Sequence, residues 1–330
     1  MPRGMHSPSL SIVIVSHLGG PLLARCVESL RTQMQSGDQL EVIISAEPGL
    51  AQVQDLAVEL VFLGKNVGFA KAANEGLARA QHAWILLLND DTEAEEGFLQ
   101  ALRESADRPG LYQPRILLAD GSGRVDNMGH GLFPDGFNWA YGRCALDAEL
   151  GDVPDEVGAC SGAAMLLHRE VLDTIGYLDG DFEAFGEDVD LSLRARRAGF
   201  GLYSVPSARI RHHLGASYGR YTPQKLYWVE RNRVRTAVRS LPVSALISMP
   251  FWTGIRLAGL SFFAIRGQGY AGEVDAKGTW ASARGIGAGL LCVPDALIKR
   301  KQDTVHWKCS SRSMWGAMIR HRVRLQDVLR

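Results

Sequence analysis

The chain has 330 residues, of which 46% are hydrophobic and 22% are charged, with 36 Gly and 13 Pro. This composition is that of a globular protein of one or two domains, and it excludes collagen, low-complexity disorder and a small disulfide scaffold. Residues 1–190 carry 12 basic and 30 acidic side chains (net −18), whereas residues 191–330 carry 24 basic and 6 acidic ones (net +18). We therefore expect the two halves to meet different partners.

The N-terminus, Met1 to Ser9, lacks the apolar core of a signal peptide, and we expect the protein to stay in the cytoplasm. Short apolar runs then alternate with helical patterns. This alternation predicts an α/β fold, with βαβ units and a mainly parallel sheet that binds ligands beyond the carboxyl ends of its strands. The predicted strands are Leu10–Val15, Leu40–Ile44, Val58–Leu63 and Ala83–Leu88, and the predicted helices are Leu22–Gln33, Phe69–Ala80 and Ala94–Ser105.

The sequence after Pro114 is rich in Gly and Asp, which predicts a long loop or antiparallel hairpins. A second ordered block follows before residue 220. Its predicted elements are a strand at Gly162–His168, helices at Arg169–Ile175 and Glu187–Ala198, and a strand at Gly201–Val205.

The last third is basic and apolar, and it contains an apolar stretch of 23 residues, Val243–Ile265, interrupted by Pro250 and Arg256. Roughly 20 apolar residues cross a bilayer, but a central Arg costs about 2.5–3.5 kcal/mol on insertion. We expect this helical region to lie on, or dip into, an anionic membrane surface that its basic flanks attract. A buried helical hairpin of a globular domain is the alternative interpretation.

An acidic motif, Asn89-Asp-Asp91, directly follows the fourth predicted strand. Two carboxylates at the end of a parallel strand repel each other unless a cation or ligand lies between them, so Asp90 and Asp91 indicate a site for Mg²⁺ or Mn²⁺ bridging phosphates. A loop whose Asp residues cap the next helix would show the same pattern.

A second acidic group, Glu187, Asp188 and Asp190, falls in the first turn of a predicted helix, where the helix dipole favours anions. Such residues can simply stabilise the helix, or one of them can act as a general base. His212 comes later, in the segment Arg209–Ser217. It is a candidate ligand for a divalent cation or a phosphate, with ordinary packing as the alternative.

Several chemistries lose support because their motifs are absent from the sequence. There is no G-x-x-x-x-G-K-[ST], no G-x-G-x-x-G after the first strand, no H-E-x-x-H and no G-x-S-x-G. Five cysteines without a C-x-x-C pair indicate neither a structural zinc site nor a disulfide framework. The basic residues of the second half are interleaved with apolar runs, so nucleic acid is not expected as a partner.

Taken in order, these segments resemble the family 2 inverting glycosyltransferases of the GT-A fold, and most closely their rhamnosyltransferase-like branch. The resemblance implies a GT-A catalytic domain over residues 1–220, followed by a basic, mostly helical C-terminal region over 221–330 that attaches to a membrane surface. The matching segments are Ser11–Ser16, Leu23–Leu30, Asn66–Gly76, Leu88–Thr92, Gly158–Arg169, Glu187–Leu191 and His212.

The resemblance assigns roles to individual residues. Asp91 and His212 stand where the family binds a divalent cation, Mg²⁺ or Mn²⁺, and Asp188 stands at the catalytic base. Glu187 and Gly162 fall on the acceptor side. The residues implied at the nucleotide-sugar site are Ser16, Glu47, Asn66, Gly68, Ala72, Asn74 and Asp90.

At the nucleoside end the chain departs from the family pattern. Ser16-His-Leu18 replaces Thr-Tyr-Asn, and Ser45–Gly49 replaces a segment whose first Asp reads the base. Glu47 is the candidate substitute for that Asp.

The implied activity is transfer of a sugar from a nucleotide-diphospho-sugar to a hydroxyl of a glycan or polyprenyl-linked acceptor, in cell-envelope polysaccharide synthesis on the cytoplasmic face of the membrane. Two alternatives stay open. One is a catalytically inactive GT-A-like scaffold in a polysaccharide-assembly complex. The other is a nucleotidyltransferase, which should carry a glycine-rich basic loop where this chain has Ser16–Pro21.

Overall fold

The computed structural model describes residues 7–17, 19–45, 58–150, 155–213, 222–266, 274 and 276–329. The strands are β1 (Leu10–Ser16), β2 (Gln39–Ile44), β3 (Glu59–Phe62), β4 (Trp84–Asn89), β5 (Thr92–Ala94), β6 (Gly110–Leu118), β7 (Val125–Asn127), β8 (His130–Leu132), β9 (Asn138–Ala140), β10 (Ala164–His168) and β11 (Gly201–His212). The helices are α1 (Pro21–Arg31), α2 (Phe69–Arg79), α3 (Phe98–Ser105), α4 (Arg169–Ile175), α5 (Glu187–Arg197), α6 (Pro223–Ser240), α7 (Val243–Ile265), α8 (Ala276–Leu291), α9 (Val293–Asp303), α10 (Ser311–Arg320) and α11 (Leu325–Leu329).

One sheet carries the N-terminal half, in the order β3-β2-β1-β4-β10-β6-β11-β5, with β7 added beside β6. Strands β1 to β4 are mutually parallel. The central strands β1 and β4 are buried on both faces, because alternate residues of their apolar runs point to opposite sides. Ile12 and Ile14 pack with α1 and α3, whereas Val13 and Val15 pack with α2. The predicted α/β fold is confirmed, and α3 begins four residues later than predicted because residues 92–94 form an edge strand.

The sheet is mixed, since β10 runs antiparallel between β4 and β6. Two features of this half were not predicted. Strand β6 runs through Pro114, and β11 extends to His212, well past the predicted end at Val205. The extension follows from pairing with β6 on both sides of an irregularity between Val205 and Arg209, which no local pattern encodes. As a result, His212 lies opposite Thr92, at the start of β5 and directly after the acidic motif.

The C-terminal helices pack directly on this α/β core. Val189 and Leu193 of α5 share a hydrophobic cluster with Ala237 and Leu241, at the end of α6. On the other side of α6, glycines of α8 allow a close approach: a Cβ at Gly285 would lie 2.4 Å from the Tyr227 carbonyl oxygen. The predicted domain boundary near residue 220 falls outside the described residues, but the segments on either side of it share one core.

The apolar stretch Val243–Ile265 forms the single helix α7, which presents an uncharged apolar face. Arg256 lies on the opposite face and is buried. Within the described ranges, α7 is long and apolar enough to span a bilayer (mean hydropathy 1.3 over Val243–Phe263), and the bent pair of α8 with the segment Val293–His306 also qualifies. The exposed residues of α7 are Val243, Ser244, Ile247, Pro250, Phe251, Gly254, Ala258, Ser261, Phe262 and Ile265.

Arg256 belongs to a buried ionic cluster that joins three elements. Its Nη1 lies 2.7 Å from Glu230 Oε1 on α6, and its Nε lies 2.9 Å from Asp135 Oδ2 in the turn between β8 and β9. Arg233 of α6 completes the cluster, with Nε 2.8 Å from Glu230 Oε2. Burial by itself would raise the pKa of Glu230, but the charges of Arg256 and Arg233 outweigh it and lower this pKa to about 2.

Replacing Arg256 with Met leaves Glu230 and Asp135 buried without one of their cations. We expect the free energy of unfolding to fall by about 3–5 kcal/mol, because an uncompensated buried charge is strongly destabilising. Urea denaturation followed by circular dichroism measures the change. Arg312→Met, on an exposed position of α10, is the control and should change the free energy by less than about 0.5 kcal/mol. A loss below about 1 kcal/mol in Arg256→Met would contradict a stabilising role for the cluster.

Candidate active site

A cavity of about 1000 Å³ lies beyond the carboxyl ends of β1 and β4 and is closed on the far side by α6, α7 and α8. Ligands bind at this edge of the sheet in open α/β folds. The fold brings together in it nine of the residues singled out from sequence. They are Ser16, Asn66, Gly68, Asp90, Asp91, Gly162, Glu187, Asp188 and His212.

The acidic motif after β4 is held by the end of β1. The Ser16 hydroxyl donates a hydrogen bond to Asp90 Oδ2 and accepts one from the Gly19 amide, at 2.9 Å. Burial, with the charge of neighbouring Asp91 as a lesser cause, raises the pKa of Asp90 to about 6 despite the Ser16 hydrogen bond. Asn89 Oδ1 is buried and accepts no hydrogen bond from any described residue.

His212 lies between two carboxylates. Its Nε2 is 3.2 Å from Asp91 Oδ1, and its Nδ1 is 2.8 Å from Asp126 Oδ2. Burial would lower the pKa of His212, but hydrogen bonds to Asp126 and Asp91 outweigh it and raise this pKa to about 9. Asp126 is held in turn by Arg143, 3.0 Å away.

The donor set at this place suits a hard divalent cation delivered with a substrate. In the described part of the chain, no three His, Cys, Asp or Glu side chains are arranged to hold a metal by themselves. Mg²⁺ is commonly bound by one or two carboxylates together with substrate phosphates, and Mn²⁺ also accepts oxygen ligands. Asp91, with the His212 imidazole 3.2 Å from its Oδ1, fits that arrangement as one carboxylate ligand.

The second acidic group projects from a strained turn at the start of α5. Phe185 and Gly186 have φ angles of +63° and +92°, in the left-handed region that a Phe rarely adopts. Asn232 of α6 holds this turn, since its Nδ2 donates to the carbonyl oxygens of Ala184 and Phe185 at 2.8 and 2.7 Å. The C-terminal region therefore supports the segment that carries Asp188.

Both oxygens of Asp188 accept backbone hydrogen bonds. Oδ2 accepts from the Gly162 amide and Oδ1 from the Val189 amide, each at 2.8 Å. Gly162 suits this contact because a Cβ there would lie only 3.3 Å from the Asp188 Cβ. These bonds fix the carboxylate at the wall of the cavity.

Glu187 differs from its neighbour. Burial, together with the charge of Asp188, raises the pKa of Glu187 to about 8, and its Oε2 accepts no hydrogen bond from the described residues. Glu187 is therefore protonated at neutral pH, whereas the neighbouring Asp188 carboxylate accepts two backbone hydrogen bonds.

The residues expected at the nucleotide pocket separate into two groups. Asn66 and Gly68 lie on the cavity wall, where Asn66 Oδ1 accepts from the Gly68 amide at 2.9 Å. Gly68 has a φ of +81°, and a Cβ there would lie 3.0 Å from the Glu183 carbonyl oxygen, so the turn requires glycine.

Ala72 and Asn74 do not line the cavity. Ala72 lies on the face of α2 that packs against the sheet and is fully buried. Asn74 exchanges two hydrogen bonds with the backbone of Leu178, at 2.8 and 3.1 Å, and so fastens α2 to the chain after α4. Glu47 lies outside the described residues.

Three residues of the site were missed from sequence: Asp126, His130 and Asn232. His130 Nε2 lies 3.0 Å from Asn127 Nδ2, and burial lowers the pKa of this imidazole. Asp126 meets His212 across 86 residues of chain. No local pattern marks such a pair, and only the Gly- and Asp-rich character of this segment set it apart.

A mixed α/β sheet with an acidic turn at the end of a parallel strand, and a second acid at a helix N-terminus across one cavity, defines a glycosyltransferase of the GT-A fold. The family described as "Glycosyl transferase family 2" matches residues 11–176, half of the chain. The protein belongs to this family, and the resemblance found from sequence is confirmed.

Two relatives come from Mycobacterium tuberculosis. An uncharacterised protein is 35% identical over 157 residues, 45% of this chain and 52% of its own, so the match spans about half of that relative. N-acetylglucosaminyl-diphospho-decaprenol L-rhamnosyltransferase is 27% identical over 247 residues, 64% of this chain and 78% of its own. The rhamnosyltransferase-like character agrees with this second match.

Among solved structures, a mannosyltransferase from Pyrobaculum calidifontis in complex with GDP-Man and Mn²⁺ superimposes with a TM-score of 0.53. The alignment covers 92% of this chain and 89% of the mannosyltransferase at 14% identity. A likeness at this identity shows the shared fold alone.

The raised pKa of Glu187 predicts a pH dependence of stability. The ordinary pKa of the group is 4.5, so between about pH 4.5 and 8 the folded protein holds a proton that the unfolded chain has lost, and the free energy of unfolding falls as pH rises through this window. Glu187→Gln should flatten this part of the profile. Chemical denaturation at several pH values measures it, with exposed Glu183→Gln as the control. Parallel profiles for the wild type and Glu187→Gln would contradict the prediction.

Proposed function

We propose that the protein is a metal-dependent inverting glycosyltransferase that moves a sugar from a nucleotide-diphospho-sugar to a hydroxyl of a lipid-linked or glycan acceptor. The observation that carries the proposal is that one cavity contains both the Asp91–His212 pair and Asp188, on separate elements. Glycosyl transfer needs both a partner for the leaving diphosphate and a base for the acceptor.

On the donor side, Asp91 and His212 would hold Mg²⁺ or Mn²⁺, with His212 giving up its Nε2 proton when the cation binds, because only a neutral imidazole is a metal ligand. The cation supplies positive charge to the leaving diphosphate. Asp126 accepts a hydrogen bond from His212 Nδ1. This bond orients the imidazole so that its Nε2 lies near Asp91. Asp90, Ser16, Asn66 and Gly68 line the same region and would contact the nucleotide-sugar.

On the acceptor side, Asp188 takes the proton of the attacking hydroxyl. The acceptor oxygen forms a bond to the anomeric carbon while the bond from that carbon to the diphosphate oxygen breaks, which inverts the configuration. The amides of Gly162 and Val189 orient the Asp188 carboxylate. Glu187, protonated at neutral pH, would donate a hydrogen bond that orients the acceptor.

The similarity to a rhamnosyltransferase whose name specifies a diphospho-decaprenol acceptor supports a lipid-linked acceptor and a role in cell-envelope polysaccharide synthesis. Attachment to the cytoplasmic face of the membrane would bring the enzyme to such a substrate. The uncharged face of α7 supports this part of the proposal. Because Arg256 is paired inside the protein, no charge of α7 has to be desolvated when this face contacts the bilayer. Part of the +18 charge over residues 191–330 is paired with acids of the first half, as Arg239 is with Asp179 and Asp190. The exposed cations Lys277, Arg284 and Arg322 favour an anionic leaflet.

Thermal shift against UDP-, dTDP- and GDP-sugars with Mg²⁺, Mn²⁺ or EDTA tests the donor side. A ligand that binds the folded state raises its stability, so one nucleotide class should give a metal-dependent shift. Asp91→Ala should abolish the shift because it removes a cation ligand. No shift with any donor would favour the inactive scaffold.

Asp188→Asn tests the base. We expect turnover to fall by about 10²–10⁴-fold while the donor-induced thermal shift stays close to that of the wild type, because the amide cannot accept the acceptor proton. Steady-state kinetics with the donor found above measures the loss. Near-normal turnover in Asp188→Asn would show that another group is the base.

The membrane proposal is tested by placing charges on α7. Ile247 and Phe251 are 78% and 64% exposed, and the double variant Ile247→Asp/Phe251→Asp should stop co-sedimentation with vesicles of phosphatidylcholine and phosphatidylglycerol. Phe62→Asp, an exposed position on β3, is the control and should bind vesicles as the wild type does. Unchanged co-sedimentation of the double variant would contradict attachment through α7.

A further inference from the structure

The cavity that contains Asp188 is also lined by the three C-terminal helices α6, α7 and α8. These helices contribute aliphatic side chains to it, besides the ionic cluster of Glu230, Arg233 and Arg256. Its apolar lining residues are Leu226 and Val229 of α6, Leu257 and Leu260 of α7, and Ala283 and Ile286 of α8. We call this part of the cavity the α7–α8 arm.

The α7–α8 arm reaches the protein surface. Ser261, Thr279 and Ala283 line the cavity and are also exposed. Next to them in sequence, Phe262 and Trp280 are 50% and 66% exposed. The opening between α7 and α8 is therefore bordered by exposed aromatic rings and lies beside the uncharged face of α7.

The cavity wall combines three kinds of group. Asp188 lies at the N-terminus of α5, and Lys225 of α6 lies close to that turn, since its Nζ is 5.1 Å from the ring of Phe185. Leu226 and the other aliphatic residues named above line the same cavity. An acid, a cation and aliphatic side chains are thus available to one ligand.

A sugar linked through a diphosphate to an isoprenoid chain carries a matching set of groups. Its hydroxyl, its phosphates and its hydrocarbon would meet an acid, a cation and aliphatic side chains, and the isoprenoid chain is the most apolar part of the proposed reaction partners. We propose that the α7–α8 arm binds the first isoprenoid units of a lipid-linked acceptor, with Lys225 facing its diphosphate, and that the remaining chain leaves between α7 and α8 into the bilayer.

This inference rests on the proposed function for the identity of the acceptor, but the arm can be tested without turnover. The probe is farnesyl diphosphate, a soluble isoprenoid diphosphate, and its binding to the full chain is measured by isothermal titration calorimetry. Leu260→Trp and Ala283→Trp should each weaken binding by about tenfold or more, because the indole fills the arm. Lys225→Gln should also weaken binding to farnesyl diphosphate, but leave binding to farnesol unchanged.

The matched control is Ile247→Trp, on the same helix as Leu260 but exposed and outside the cavity lining. It should bind farnesyl diphosphate as the wild type does. Circular dichroism confirms that each variant folds, and the nucleotide-sugar thermal shift should be the same in all of them.

The outcomes separate this inference from the proposed function. Absence of farnesyl diphosphate binding to the wild type, or equal weakening by Ile247→Trp and Leu260→Trp, would overturn the α7–α8 arm as a lipid site. A nucleotide-sugar shift that persists in either case would leave the glycosyltransferase proposal standing. Selective weakening by Leu260→Trp and Ala283→Trp, without any nucleotide-sugar shift, would support the arm and count against the proposed donor chemistry.

Discussion

The buried contact of Arg256 with Glu230 and Asp135 is the interaction on which the arrangement of the C-terminal helices depends. It joins α7 to α6 and to the turn between β8 and β9, with Nη1 2.7 Å from Glu230 and Nε 2.9 Å from Asp135. Charges buried in this way are stable only while each has its partner, so the cluster specifies one position for α7. That position decides both where the cavity ends and which face of α7 meets solvent.

The same helices take part in the catalytic half. Asn232 of α6 holds the strained turn at Phe185, and this turn directs Glu187 and Asp188 into the cavity. A functional segment with unfavourable backbone angles persists because surrounding structure over-determines it. The region after residue 220 therefore closes the cavity and supports the acid at its wall.

Charge and burial set different roles for neighbouring acids. Glu187 and Asp188 are adjacent in sequence, yet burial raises the pKa of Glu187 to about 8, whereas two backbone amides hydrogen-bond the Asp188 carboxylate. At the other end of the cavity, Asp91 and Asp126 share the His212 imidazole. Glu187 and Asp188 thus separate a group that holds a proton from one that accepts hydrogen bonds, whereas Asp91 and Asp126 both face one imidazole.

The sequence by itself determined the α/β class, the order of most elements in the first two hundred residues and the acidic motif at Asp90 and Asp91, because hydrophobic periodicity and turn residues are local signals. The tertiary structure alone decided that β11 extends to His212, that Asp126 joins the site and that Asn74 fastens α2 to Leu178 instead of lining a pocket. The tertiary structure also decided that Arg256 faces the protein interior. These features arise from pairings between residues far apart in the chain, and a pairing of that kind leaves no periodic trace in either partner.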